Sequence, residues 1–149
     1  APELNETIDA CMERTKDNRT LTLIIFLSYS GKWDILQAAR KLALEVAADP
    51  KKAEALDQMS ISDFDSYLVT ADVPDPDLIV RTSGEHRLSN YLLWQGAYSE
   101  FYFTDVLWPD FDEAELDEAI EAGADFCVYE QSRKMSYFVL AFLQSFPYN

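Results

Sequence analysis

Two arginines, Arg81 and Arg87, bracket a loop that also carries Gly84, His86, Ser89 and Asn90. A guanidinium presents a planar fork of donors matched to paired phosphate oxygens, and a hydroxyl adds one more. Gly84 lets the backbone between the arginines turn and bring loop N–H groups close to an anion. The set suits a phosphate or diphosphate. The same arginines could instead pair with Asp75, Asp77 or Glu85, and residue chemistry alone does not separate the two readings. Glu100 could join a carboxylate shell for Mg²⁺, which takes one or two protein carboxylates plus substrate phosphates; a solvated glutamate is the plain alternative. His86, the single histidine of the chain, could transfer a proton or serve a hydrogen-bond network, or be ordinary polar surface.

An arginine reaches a ligand in an open α/β sheet when a strand delivers it to the carboxyl edge. Residues 78–80, Leu-Ile-Val, are predicted to be that strand, following a segment at 73–77 that two prolines hold extended. Residues 21–29 form a continuous apolar, β-branched run, predicted to be a central strand covered on both faces. Helical spacing predicts a helix over 3–16, with Leu4, Ile8, Cys11, Met12 and Thr15 near one face, and another over 34–48, closed by Pro50. Residues 51–59 read as loop or frayed helix, and Ser62 as the cap of a short helix through Tyr67 with Asp65 at capping-box distance. Then come a polar loop (82–90), a helical stretch (91–98), a strand (100–104) and an acidic-started helix (112–133) capped by Asp110 or Asp112. Strands alternating with helices give an α/β fold class, a largely parallel central sheet flanked by helices.

The chain has 149 residues, 48% of them hydrophobic and 13% aromatic, so residues 1–149 read as one domain with enough apolar material for a core. A formal charge of −15 argues against nucleic acid or an anionic membrane as a broad-surface partner. Any anionic ligand must meet a local cluster of Arg or Lys. The prolines between Asp72, Asp75 and Asp77 keep these acids off a common helical face, and the acids over 110–121 lack the spacing of a calcium loop. No P-loop, GxGxxG or GxSxG motif occurs. Cys11 and Cys127 are far apart without a CxxC pair and read as two buried free thiols in a reducing cytosol. The first residues lack the basic start and apolar core of a signal peptide, and the longest apolar run, 137–143, is far short of the roughly 20 residues a membrane helix needs. A cytoplasmic protein with at most peripheral membrane association is expected.

Residues 74–111, PDPDLIVRTSGEHRLSNYLLWQGAYSEFYFTDVLWPDF, resemble the C-terminal signature of the cis-prenyltransferases, the family that includes undecaprenyl diphosphate synthase. Arg81, Thr82, Gly84, Glu85, Arg87, Ser89-Asn90 and Leu92-Leu93-Trp94-Gln95 stand at the family's spacing, as does Trp108-Pro109. Residues 29–35, with Ser30-Gly31-Lys32-Trp33-Asp34, resemble a second block of Tyr-Gly-Gly-Arg type, and in all the similarity covers about residues 4–121. The resemblance implies that Arg81, Arg87 and Ser89 hold the diphosphate of isopentenyl diphosphate, that Glu100 helps bind Mg²⁺, and that His86 belongs to the catalytic hydrogen-bond network nearby. The implied reaction condenses isopentenyl diphosphate with an allylic diphosphate such as farnesyl diphosphate, giving a polyprenyl diphosphate such as undecaprenyl diphosphate. Residues 21–27 would supply part of the apolar space for the growing chain. The family also implies a homodimer.

The family's Asp-Gly-Asn-Gly-Arg loop, which brings the Mg²⁺-coordinating aspartate and cradles the allylic diphosphate, does not occur among these residues, nor does the Ser-Glu-Asn element that comes after it. Ser28, Ser30 and Lys32 stand where the family usually has Asn, Gly and Arg. The tail over 137–149 has no Arg or Gly where family members often carry a basic end, and reads as packed core or as an exposed interaction or aggregation surface. The chain is thus expected to be an incomplete cis-prenyltransferase-like domain. It is either part of the enzyme or a non-catalytic fragment or partner subunit that keeps only the isopentenyl-diphosphate half-site.

Overall fold

The computed structural model describes residues 2–127 and 138–141. In chain order the elements are α1 (Pro2–Thr15), α2 (Gly31–Ala48), α3 (Pro50–Ala55), α4 (Ile61–Asp65), β1 (Leu78–Arg81), β2 (Glu100–Phe103), α5 (Glu113–Cys127) and β3 (Phe138–Ala141), with short 3₁₀ turns at Leu56–Gln58 and Trp108–Asp110. The fold is α/β: β1 lies between β2 and β3 and pairs in parallel with both. A strand paired on both edges needs side chains that tolerate burial on both faces, and Leu-Ile-Val supplies them. All four residues of β1 are buried, Arg81 included.

Alternation along β1 divides the core into two layers. Leu78 and Val80 pack with Ala119 of α5, joined by Tyr102 and Phe111. Ile79 packs on the opposite face with Tyr91 and Leu92, backed by Phe26 and Tyr29. The rings of Phe26, Tyr29 and Tyr91 meet edge-on, with centroids 5.0 to 5.7 Å apart, the geometry that brings positive ring edges onto negative faces. Arg81 has the parity of Ile79. It therefore leaves the sheet on the Tyr91 face, at the carboxyl edge.

Several expectations are corrected. Residues 21–26 form no strand, and Leu21, Leu23, Ile25 and Leu27 are 65 to 80% exposed. Both edges of β1 are already occupied by β2 and β3, so this run has no place beside the central strand; only Phe26 and Tyr29 turn inward. Among the described residues it lies along the surface. Helix α1 forms as expected, but its apolar stripe is uncovered, with Leu4 53% and Met12 64% exposed. Cys11 on that helix is exposed, not buried, and the side chain of Cys127 lies outside the described residues. The capping box belongs to Ser60 and Asp63, whose reciprocal bonds measure 3.1 and 2.8 Å. The same spacing occurs twice in Ser60-Ile61-Ser62-Asp63-Phe64-Asp65, and Asp65 instead accepts the Trp94 indole N–H at 2.7 Å. Residues 91–98 turn without becoming a helix, because Leu92 is left-handed at φ 40°. The acidic helix is α5, capped by Asp112, which accepts the N–H groups of Ala114 and Glu115 at 3.0 and 3.1 Å. Of the tail, 138–141 forms β3, and the rest lies outside the described residues.

The Tyr91 layer carries a pH signature. Burial pushes the Tyr91 phenol up to about 12. Tyr29 is raised as well, first by burial and then by its bond to the Asp34 carboxylate. In the unfolded chain tyrosine ionises near pH 10. The folded protein therefore keeps protons that the unfolded chain releases, so this contribution to stability is intact below about pH 10 and is lost as pH rises through about 12. Urea midpoints measured across pH should stay level on this account up to pH about 10 and then fall. Tyr91→Phe should flatten the fall, and an equally steep fall in that variant would refute the assignment.

Candidate functional site

Parallel register aligns Arg81 with Phe103 and Ala141, so the carboxyl ends of all three strands meet at one edge of the sheet. The Arg81 carbonyl accepts the Thr104 N–H at 3.0 Å. The loop beyond is pinned the same way: Ser83 N–H donates to Val106 O at 2.9 Å and Gly84 N–H to Thr104 O at 3.0 Å. These two loop donors are thereby occupied within the protein and are not open to an anion. The glycine is needed for another reason. Its φ is +67°, and a Cβ there would stand 2.9 Å from Asp105 Oδ1.

Arg81 itself is 5% exposed. Its Nη2 stands 3.5 Å from Ser89 Oγ, while Nε and Nη1 are buried without a hydrogen-bond partner among the described residues. A buried guanidinium with unpartnered donors is costly, and native proteins rarely keep one unless something else satisfies it. Burial holds its pKa below the usual arginine value; Glu85 opposes that shift and the like charge of Arg87 adds to it. Arginine remains cationic at neutral pH even so. Because Ser89 accepts from Arg81, its own hydroxyl proton is left to donate outward.

Arg87 lies at the surface and pairs with Glu85 at 2.7 Å, so for this arginine the acid-pairing alternative is realised. A pair this exposed contributes little to stability, so Arg87 can be redirected to a stronger anion. His86 is exposed, its ring 5.2 Å from that of Phe103. Glu100 stands apart. It pairs with Leu78, three residues before Arg81 aligns with Phe103, a rise of about 10 Å, and alternation turns it to the α5 face. The structure thus gathers Arg81, Ser89, Arg87 and His86 at one edge and leaves Glu100 at the other.

Behind this edge lies a residue whose weight the sequence did not reveal. Asp34 is fully buried. Its Oδ1 accepts from Gln37 Nε2 at 3.0 Å and Val69 N at 2.9 Å, and its Oδ2 from the Tyr29 hydroxyl at 3.0 Å and Gln95 Nε2 at 3.2 Å. Gln95 Nε2 also donates to Thr70 Oγ1 at 2.7 Å. One carboxylate thus ties α2 to the Tyr29 layer and to two later loops. An acid in the first turn of a helix ordinarily signals only the helix dipole. Nothing local distinguishes this one.

Fold and edge together define a parallel α/β protein with a buried arginine, two of its donor atoms unpartnered among the described residues, at the carboxyl ends of its strands. A family model described as "Putative undecaprenyl diphosphate synthase" matches residues 1–127. An isoprenyl transferase of Chlorobaculum tepidum is 52% identical over 118 residues, covering 79% of this chain and 43% of that protein. A ditrans,polycis-undecaprenyl-diphosphate synthase, (2E,6E)-farnesyl-diphosphate specific, of Coxiella burnetii is 50% identical over 113 residues, 76% of this chain and 46% of that one. The crystal structure of lavandulyl diphosphate synthase from Lavandula x intermedia, in complex with dimethylallyl diphosphate, matches with a TM-score of 0.72 and 35% identity over 83% of this chain and 52% of that one. This chain belongs to the undecaprenyl diphosphate synthase family of cis-prenyltransferases. It spans less than half the length of the two curated relatives.

Proposed function

We propose that this chain carries the isopentenyl-diphosphate half of a cis-prenyl transfer site, with Arg81 as its principal anion ligand. The unpartnered, buried guanidinium of Arg81 carries the reading. A diphosphate would take its Nε and Nη1 donors, receive the Ser89 hydroxyl, and draw Arg87 away from Glu85. His86, at the same edge, is the candidate to hold or relay a proton. In the full reaction the isopentenyl double bond attacks C1 of an allylic diphosphate, diphosphate departs with the C1–O electron pair, and a proton leaves the isopentenyl unit to form the new cis double bond. The relative described as farnesyl-diphosphate specific and the similar structure solved in complex with dimethylallyl diphosphate support that substrate class.

Mg²⁺ belongs to this proposal as a companion of the diphosphate, where it would add charge neutralisation. Among the described residues no group of three or more His, Cys, Asp or Glu side chains could hold a metal. Glu100 stands at the opposite end of the sheet from Arg81, so the described residues build no all-protein metal cage there; a Mg²⁺ held by one or two carboxylates and the diphosphate oxygens would need none. On family grounds we also propose a cytoplasmic homodimer with at most peripheral membrane contact. No helix among the described residues is long and apolar enough to cross a membrane.

A second reading rests on the same guanidinium, which accounts for binding alone: these residues hold isopentenyl diphosphate without turning it over, as a fragment or a partner subunit that keeps only this half-site. Labelled isopentenyl diphosphate, farnesyl diphosphate and Mg²⁺ with the chain alone should give calorimetric binding and little or no polyprenyl product. Robust product would favour the complete enzyme. No saturable binding would remove both readings.

A further inference from the structure

Asn90 connects the anion edge to the start of α2. Its carbonyl oxygen accepts the Gly31 N–H at 2.7 Å, its Oδ1 accepts the Lys32 N–H at 2.9 Å, and its Nδ2 donates to Ser30 Oγ at 2.7 Å. The amide orientation is forced, since a backbone N–H can only donate and must face Oδ1. Ser30 then takes the Trp33 N–H at 3.3 Å on its hydroxyl and the Asp34 N–H at 2.9 Å on its carbonyl. The N–H groups of Gly31, Lys32, Trp33 and Asp34 are thus all satisfied from within the protein and are not open to a phosphate. The approach is so close that a Cβ on Gly31 would meet Leu93 N at 3.0 Å and Asn90 O at 3.2 Å.

The loop that Asn90 anchors is a tight turn, closed by the Tyr91 N–H donating to Leu88 O at 3.0 Å, and Asn90 fixes where that turn sits against α2. Ser89 and Asn90 are both left-handed, at φ 48° and 63°, conformations that a serine adopts rarely and an asparagine more readily. Ser89 adjoins the anchor, and its Oγ is the partner Arg81 does have, at 3.5 Å.

We propose that Asn90 is the positioning residue of the anion pocket, holding the Ser89 hydroxyl over the Arg81 guanidinium by clamping the loop to α2. Its carbonyl and both side-chain polar atoms face the start of α2, so its side chain acts through Ser89 and not on the ligand. This inference rests on the anion-pocket reading of Arg81 and deepens it. It also makes the sequence pair Ser89-Asn90 one device, a donor and its tether.

A double-mutant cycle tests it, with inorganic pyrophosphate titrated calorimetrically into the full chain. Asn90→Gly removes the side-chain tether while leaving a residue that adopts positive φ freely. It should weaken binding about tenfold, the scale of one hydrogen bond to a charged group. Ser89→Ala should weaken it by a similar or smaller factor, and the double variant should bind within about twofold of Asn90→Gly alone. Multiplicative losses, or unchanged binding in Asn90→Gly, would overturn the positioning role. Should Asn90→Gly fail to fold by circular dichroism, Ser30→Gly removes the Nδ2 partner at small cost to the helix cap. It should give a partial loss that disappears in the Ser89→Ala background, and a loss that persists there would equally overturn the role. If wild type binds pyrophosphate no better than Arg81→Met, the anion-pocket reading itself has failed, a result distinct from either.

Discussion

Replacing Arg81 with methionine is expected to abolish diphosphate binding and at the same time raise the melting temperature of the ligand-free protein. The first effect comes from losing every donor the guanidinium would present; with charged hydrogen bonds contributing about 1.5–3 kcal/mol each, affinity should fall at least about 100-fold. The second comes from the buried, unpartnered Nε and Nη1 atoms. Methionine keeps an unbranched, flexible side chain at the end of β1 without polar atoms to desolvate, and removing such a penalty should stabilise the protein by about 1–2 kcal/mol, or a few degrees. Thermal scans with and without pyrophosphate read both effects in one experiment. Arg81→Lys keeps the charge but not the fork and should fall between. A methionine variant that melts lower than wild type would show Arg81 to be a structural strut, not a strained ligand.

The largest effect on stability is expected at Asp34. Asp34→Ala leaves the Val69 N–H and the Tyr29, Gln37 and Gln95 donors around a buried void. Breaking a buried network of this kind costs about 3–5 kcal/mol, a large part of the roughly 5–15 kcal/mol that holds a domain together. Asp34→Asn keeps the shape but offers one acceptor where four donors converge, so it should cost less yet still clearly destabilise the protein. Urea unfolding curves measure both. An alanine variant within about 1 kcal/mol of wild type would mean the network is not the anchor its geometry indicates.

How much of the fold was legible in the sequence depends on the range of the interactions. Leu78-Ile79-Val80 reads as a buried strand that delivers an arginine to the carboxyl edge because period, β-branching and the preceding prolines are all local, and β1 is that strand. Asp112 was legible as a cap for the same reason. Residues 21–29 carry the same local signature and form no strand, since strand pairing is a long-range property that a local run does not settle. Arg81 and Arg87 looked equivalent as chemistry. Only the fold distinguishes them, burying one without partners and leaving the other at the surface with Glu85. Asn90 and Asp34 act across 58 and 61 residues of chain, to Lys32 and Gln95 respectively, distances over which no spacing rule operates.

The exposed run at 21–27, Leu-Thr-Leu-Ile-Ile-Phe-Leu, bears on how this protein behaves in bulk. It contains no charge, proline or glycine, which is the composition of segments that stack between copies as cross-β. What opposes stacking is the formal charge of −15 on each chain. That repulsion reaches only about 10 Å at 0.1 M salt and about 3 Å at 1 M. Colloidal stability is therefore an electrostatic property of the whole chain, and added salt weakens it even though the fold's own hydrogen bonds and packing are little affected.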